Sequence, residues 1–238
     1  MTGDNKEMLR DHVVNERLRE GLGDWRKLAQ ALHARYATRD LAEGAQLVSA
    51  IATAETDMGS HLRFTVGEQY VDLRLVSHDA IYRDGEGNEH VVQWVTGRDL
   101  ELAAHISKVA AELHVTADPA SITAIELGLD TADSARIAPM WAALLTGSTD
   151  AVGHGSIGDD VRDQTERMPV LWFQDTDAHE TPRQRFHLDV WVAPDQAEAR
   201  LAAAVAAGGT VVDDSNAPAY TIVADADGNR ACVCTTLR

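Results

Sequence analysis

One segment in the last third of the chain, QRFHLDVWV at residues 184 to 192, reads as an alternating strand that carries a histidine, His187. Alternate residues of a strand share a face, so one set of its side chains can line a cavity. Further along, Asp225-Ala226-Asp227-Gly228-Asn229 has the composition of a tight turn joining two strands. The two features together predict a small barrel with room for an organic ligand. They indicate a binding site and leave the reaction open.

A chain of 238 residues is long enough for two domains of roughly 110 to 120 residues. The pattern along the chain predicts one over residues 1–115 and a second over 119–238. No apolar run approaches the roughly 20 residues that span a bilayer. The opening MTGDNKEMLRDHVV has neither an apolar segment nor a small-residue cleavage site, so a cytoplasmic protein is expected. A net charge of −17 repels phosphate backbones and anionic headgroups. Nucleic acid and membrane are therefore not expected as partners, and the acidity, spread over both halves, reads as a solubilising surface. The two cysteines, Cys232 and Cys234, sit two apart on one strand face, a spacing unsuited to a disulfide. They read as a reduced structural pair, with no nearby Cys or His in sequence to complete a zinc site.

Leu9, Val13, Val14, Leu18 and Leu22 follow a helical period that Gly21, Gly23 and Asp24 end. Trp25 to Tyr36 predicts two short strands, and Thr38 caps a helix running to about Glu55. Tyr70 to His78 reads as extended, DGEGN (84 to 88) as a hairpin turn, and His90 to Trp94 as the returning strand. Thr96 then caps a helix to about Leu113, and Thr116 to Ala120, with Pro119, reads as a linker. Beyond it the order is strand 122–129, helix 132–145, a Gly-rich loop 147–159 and strand 169–174. Strand 186–192, helix 195–207 and strands 210–213, 219–224 and 230–236 then repeat that order. Two βαβββ-like halves are expected. The Gly-rich loop lacks the GK[ST] ending of a phosphate-binding loop and reads as a mouth to the cavity.

In the first half, Ala54-Glu55, His61, Tyr70-Val71-Asp72-Leu73-Arg74-Leu75, Ser77-His78 and Thr96-Gly97-Arg98-Asp99, followed by Leu102-Ala103 and Ile106, occur in a specific order. This order resembles the pterin-4a-carbinolamine dehydratase family. The resemblance implies a metal-free dehydration of a 4a-hydroxytetrahydropterin, with His61 and His78 as proton-transfer groups and Glu55 as an orienting group. Imidazole suits that work because it gains and loses a proton near neutrality. The family's His-His-Pro loop has Ser60 or Gly59 in place of its first histidine and Leu62 in place of its proline. Trp25, Tyr70 and Trp94 read as core aromatics.

In the second half, IELGLDTADSARIAPMWAALL (125 to 145), LWFQD (171 to 175), TPRQRFHLDVWV (181 to 192), Ala207-Gly208-Gly209 and DADGN resemble the glyoxalase-like branch of the vicinal oxygen chelate superfamily. Metal-dependent members hold one divalent ion with four inward side chains on four strands. Here His187 matches such a position, Thr123 takes the first-strand position and Cys232 the last-strand carboxylate position, while Glu126 lies on an unassigned face. No metal or other cofactor is expected. His187, Trp172, Gln174 and Trp191 are the predicted ligand-binding residues.

The expected fold is α+β: an N-terminal antiparallel sheet with helices packed on one face, then a paired βαβββ glyoxalase-like barrel. The expected partner is a small molecule, with a reduced pterin as the candidate for the first domain, and a homo-oligomer is implied by both resemblances. Three functions fit the residues: a dehydratase-like lyase, a non-catalytic binding or sequestration protein, and a metal-dependent glyoxalase- or dioxygenase-like enzyme built around His187.

Overall fold

The computed structural model describes residues 6–54, 61–132, 134–135, 138, 142, 160–162, 169–177, 186–206, 209–224 and 230–237. The chain divides into two compact units on either side of Ile122 and Thr123. In the first, α1 (Asp11–Gly21) buries Val14 and Leu18, one turn apart, and closes with the Leu22 N–H on the Leu18 carbonyl. Strands β1 (Trp25–Leu28) and β2 (Ala31–Ala37) form an antiparallel hairpin whose turn holds Ala29 at φ 48. Helix α2 (Leu41–Ala54) is capped by Asp40 and not by Thr38. The Asp40 Oδ1 accepts the Glu43 N–H at 2.9 Å, and Glu43 reaches back to the Arg39 N–H at 2.6 Å. Thr38 is instead buried, its own N–H spent on the Gln69 carbonyl.

Strands β3 (Leu62–Val66) and β4 (Tyr70–Leu75) complete an antiparallel sheet in the order β1-β2-β4-β3. Period-2 alternation sends Leu32, Ala34 and Tyr36 of β2, and Val71, Leu73 and Leu75 of β4, into a core with Leu47 and Ile51 of α2. Trp25 is fully buried there. Lys27 shares this core face: its ammonium lies 4.3 Å from the centre of the Trp94 ring and 3.4 Å from Asp11, and donates to the Ala29 carbonyl. Tyr70 departs from the core expectation, since it faces the other side of the sheet beneath the Arg35 guanidinium at 4.3 Å. On that side Arg26, His33, Arg74 and Arg63 stand in register across all four strands.

The extended stretch expected to reach His78 is broken at Val76. Strand β5 (Ser77–Arg83) leaves the sheet and pairs with β6 (Glu89–Trp94) around the Asp84–Asn88 turn, where Asp84 accepts the Glu86 and Asn88 N–H groups. Helix α3 (Gly97–Glu112) follows, with a Thr96/Asp99 capping box, and buries Leu100, Ala103 and Ile106. Thr116–Ala117, read from sequence as linker, forms β7 and pairs with β2. The Asp118 N–H donates to the Arg35 carbonyl, so this stretch is hydrogen-bonded to the first unit.

The second unit has strands β8 (Thr123–Thr131), β9 (Leu171–Asp175) and β10 (Phe186–Val192), then helix α4 (Ala197–Ala206) and strands β11 (Thr210–Asp213), β12 (Tyr220–Ala224) and β13 (Arg230–Cys234). Their order is β11-β12-β13-β10-β8-β9. β10 runs parallel to β13 and β8 parallel to β9, while β8 and β10 meet antiparallel. Among the described strands β8 thus pairs with β9 and β10 with β13, and β8 and β10 join the two pairs. The fold is α+β as expected, but the described strands form an open sheet and do not close into a barrel. The predicted helix at 132–145 is described at Ser134, Ala135, Ala138 and Ala142, all helical, and Ala138 and Ala142 pack on Leu129, Leu171 and Phe173. The Gly-rich loop 147–159, the 225–229 turn and Arg183 to Arg185 lie outside the described residues.

Candidate functional sites

The first unit gathers three polar side chains and a backbone N–H around a fully buried carboxylate. Asp99, in the first turn of α3, accepts the Thr96 N–H at 2.7 Å, the Thr96 hydroxyl at 2.9 Å and the Ser77 hydroxyl at 2.8 Å on Oδ2. Its Oδ1 lies 3.2 Å from His61 Nδ1, which is also 3.0 Å from Ser77 Oγ. With the Ser77 proton committed to Asp99, the Nδ1 atom of His61 is the donor to both oxygens. Nε2 is then the basic nitrogen of that imidazole. A buried carboxylate is tolerated here because every near neighbour donates to it.

His78 does not join this cluster. It is exposed, and its Nδ1 lies 3.0 Å from the Gln93 amide nitrogen on β6. One extra residue on β5 between Ser77 and Ala80 interrupts its pairing with β6, a bulge that separates inward Ser77 from outward His78. The next residue, Asp79, is clamped by Arg98 at 2.5 Å and Lys6 at 2.8 Å. Hydrogen bonds from Lys6 and Arg98 hold its carboxyl down to about 2. Glu55, the third predicted group, lies outside the described residues. Sequence reasoning used Thr96 and Asp99 only as markers of a helix start and of the resemblance. Their capping-box spacing was the available sign that Asp99 is turned inward.

The second unit concentrates its chemistry on one face of its sheet. Register places Trp172, Gly128 and His187 in one row, Glu126, Asp189 and Cys232 in the next, and Ala124, Trp191 and Cys234 in a third. The Trp172 ring meets His187 edge-on at 5.3 Å, and Trp191 Nε1 donates to Glu126 at 2.8 Å. Gln174 pairs with Asp130 at the end of β9. His187 presents Nδ1 to Asp130 at 3.4 Å and Nε2 to Asp189 at 3.5 Å. Its ring lies over Gly128, where any Cβ would overlap it. Burial pushes the Asp189 carboxyl up, with the His187 charge opposing. A hydrogen bond with Cys232, then burial, raises the Cys234 thiol.

All four predicted ligand-binding residues thus share this face, with His187 and Trp172 in contact. Thr123 does not: strand alternation turns it to the opposite side, where Arg200 donates to its hydroxyl at 3.3 Å. Glu126 is the β8 side chain beside Asp189. Both cysteines are free thiols, as expected. The parallel pairing of β10 with β13 is what brings Cys232 to Asp189, and the local spacing of the cysteines could not reveal it.

Comparison with known families agrees with this division. Residues 7–109 match the family model described as pterin 4 alpha carbinolamine dehydratase, and residues 126–234 match that of a glyoxalase-like domain. A solved structure described as a transcriptional coactivator/pterin dehydratase from Brucella melitensis is similar at 21% identity and a TM-score of 0.35, over 44% of this chain and 99% of that one. No curated protein matches the chain. No helix among the described residues is long and apolar enough to cross a membrane. The first part of the chain is thus similar to the pterin-4a-carbinolamine dehydratase family and the second to a glyoxalase-like domain.

Proposed function

We propose that the first domain is a lyase that removes water from a 4a-hydroxylated reduced pterin, and that the second binds a small organic molecule on its His187 face. The observation that carries the reading is the buried Asp99, which holds His61 in the tautomer whose Nε2 is basic. Dehydration needs one group to remove a proton from the ring nitrogen and another to give a proton to the departing hydroxyl, so that a C=N bond forms as water leaves. His61 is the base in this proposal, His78 the acid on the exposed bulge, and Glu55 an orienting group. Trp172, Gln174, Trp191 and His187 are the contacts offered by the second domain, the aromatic rings suiting a flat ligand.

The test is the rate of water loss from a 4a-hydroxytetrahydropterin with the full-length protein, its His61→Ala variant and its His78→Ala variant. Acceleration over buffer is expected in the parent, with a fall of about 10²- to 10⁴-fold in either variant. A parent rate equal to that of buffer sinks the lyase reading. If reduced pterin then still raised the melting temperature, the first domain would be a binding module.

A further inference from the structure

The bulge on β5 sets two residues, His78 and Asp79, against the single residue Gln93 of β6, because Ser77 pairs with Trp94 and Ala80 with Val92. Both chain neighbours of His78 are anchored. The Ser77 hydroxyl donates to the buried Asp99 at 2.8 Å, and Asp79 is clamped by Lys6 and Arg98. Across the hairpin, Gln93 stands between buried Val92 and Trp94, whose Nε1 donates to the Leu9 carbonyl at 2.9 Å. The backbone on either side of His78 is thus fixed, and the Gln93 amide, 3.0 Å from Nδ1, orients its ring. We propose that Gln93 is a positioning residue for the dehydration, setting the His78 ring so that Nε2 is the nitrogen that serves the departing hydroxyl. The inference rests on the lyase reading of the first domain.

The chemistry of an amide suits this task. In the structure the Gln93 amide nitrogen meets Nδ1 as a donor, the arrangement of a neutral ring with its proton on Nε2. A protonated ring carries an N–H at Nδ1 instead, and a half-turn of the amide then brings the Gln93 oxygen round to accept it. Glutamine therefore keeps a hydrogen bond to the ring in both protonation states, and the ring need not move between them. A carboxylate at this place only accepts, and an aliphatic side chain does neither.

The two histidines have contrasting partners on the same ring nitrogen. Nδ1 of His61 faces the Asp99 carboxylate, and Nδ1 of His78 faces a neutral amide. A carboxylate stabilises the imidazolium that a base becomes, whereas a neutral amide does not hold back the proton that an acid must release. In the reaction His61 Nε2 takes the proton from the ring nitrogen, whose electron pair forms the C=N bond as the C–O bond breaks. The His78 imidazolium gives its Nε2 proton to the departing hydroxyl, which leaves as water. Both imidazoles then reset by exchanging one proton each with solvent. The charged groups that hold the bulge, Asp79, Lys6 and Arg98, are paired with one another.

The experiment compares the full-length parent with Gln93→Leu and Gln93→Glu, using the pH profile of water loss from a 4a-hydroxytetrahydropterin and the titration of His78 in ¹H–¹³C spectra, assigned with His78→Ala. Gln93→Leu is expected to lower kcat by about 10- to 100-fold with KM within about twofold, because the ring loses its orientation and the rest of the site does not. Gln93→Glu still orients the ring and is expected to restore most of that loss. Its carboxylate also favours the imidazolium, so the fall in rate at high pH and the His78 titration should both move up by about one pH unit. A parent rate equal to that of buffer overturns the lyase reading and the role of Gln93 with it. With an active parent, a Gln93→Leu rate within about twofold of the parent, or an unmoved His78 titration in Gln93→Glu, overturns the role of Gln93 alone.

Discussion

At the residue scale, Asp99 and Gly128 have the sharpest requirements. Asp99 is an acceptor for an N–H, two hydroxyls and an imidazole, so Asp99→Asn turns a donor toward Ser77 and Thr96 while keeping the size. A loss of about 1–3 kcal/mol in urea unfolding is expected, together with a changed His61 tautomer in ¹⁵N spectra. A variant as stable as the parent would show that the capping box contributes little. Gly128 is set by close approach, because its φ lies in no unusual region while its missing Cβ is the space His187 occupies. Gly128→Ala is expected to unseat His187 and to cost about 1–3 kcal/mol in urea unfolding. The sequence displayed both residues. What it withheld was their direction, since burial of a carboxylate and the rotamer of a histidine depend on neighbours 38 and 59 positions away (99 − 61 and 187 − 128).

At the scale of elements, periodicity carried most of the reading. The amphipathic spacing of α1, the Thr96 cap of α3 and the Asp84 turn are local signals, and the elements formed where those signals stand. Two departures have local causes of their own. Asp40 displaced Thr38 as the α2 cap because a carboxylate one residue before the helix reaches the Glu43 N–H. Thr116–Ala117 became a strand because β2 extends past the end of β1 and leaves backbone groups to pair. Lys27 was invisible as a core residue, since a lysine in an alternating strand reads as outward. Its charge is balanced by Asp11 and the Trp94 ring. Asp11→Ala should therefore destabilise by about 3 kcal/mol, while Lys27→Met should cost less, a contrast that paired urea melts would resolve. Equal losses would argue that Asp11 does not balance the lysine.

At the scale of the molecule, a net charge of −17 coexists with a row of Arg26, His33, Arg74 and Arg63 across one sheet face. Burial, then the charges of Arg74 and Lys27, push His33 down to about 3. A histidine that folds neutral contributes stability in full above its unfolded value near 6.5, and that contribution is lost as pH falls toward 3 because the unfolded chain takes the proton. Between pH 6.5 and 5 this amounts to about 2 kcal/mol. His33→Gln should flatten the pH dependence of unfolding by that amount, and an unchanged slope would place the acid sensitivity elsewhere. The two resemblances were legible from motif order in the two halves. The pairing of Asp189 with Cys232 was not, because β10 and β13 are separated in sequence by α4 and two further strands. That separation has a temporal side. While β13 is undocked, Asp189 and Cys232 are scattered side chains, so protection of Cys232 from alkylation would serve as a witness that folding of the second half is complete.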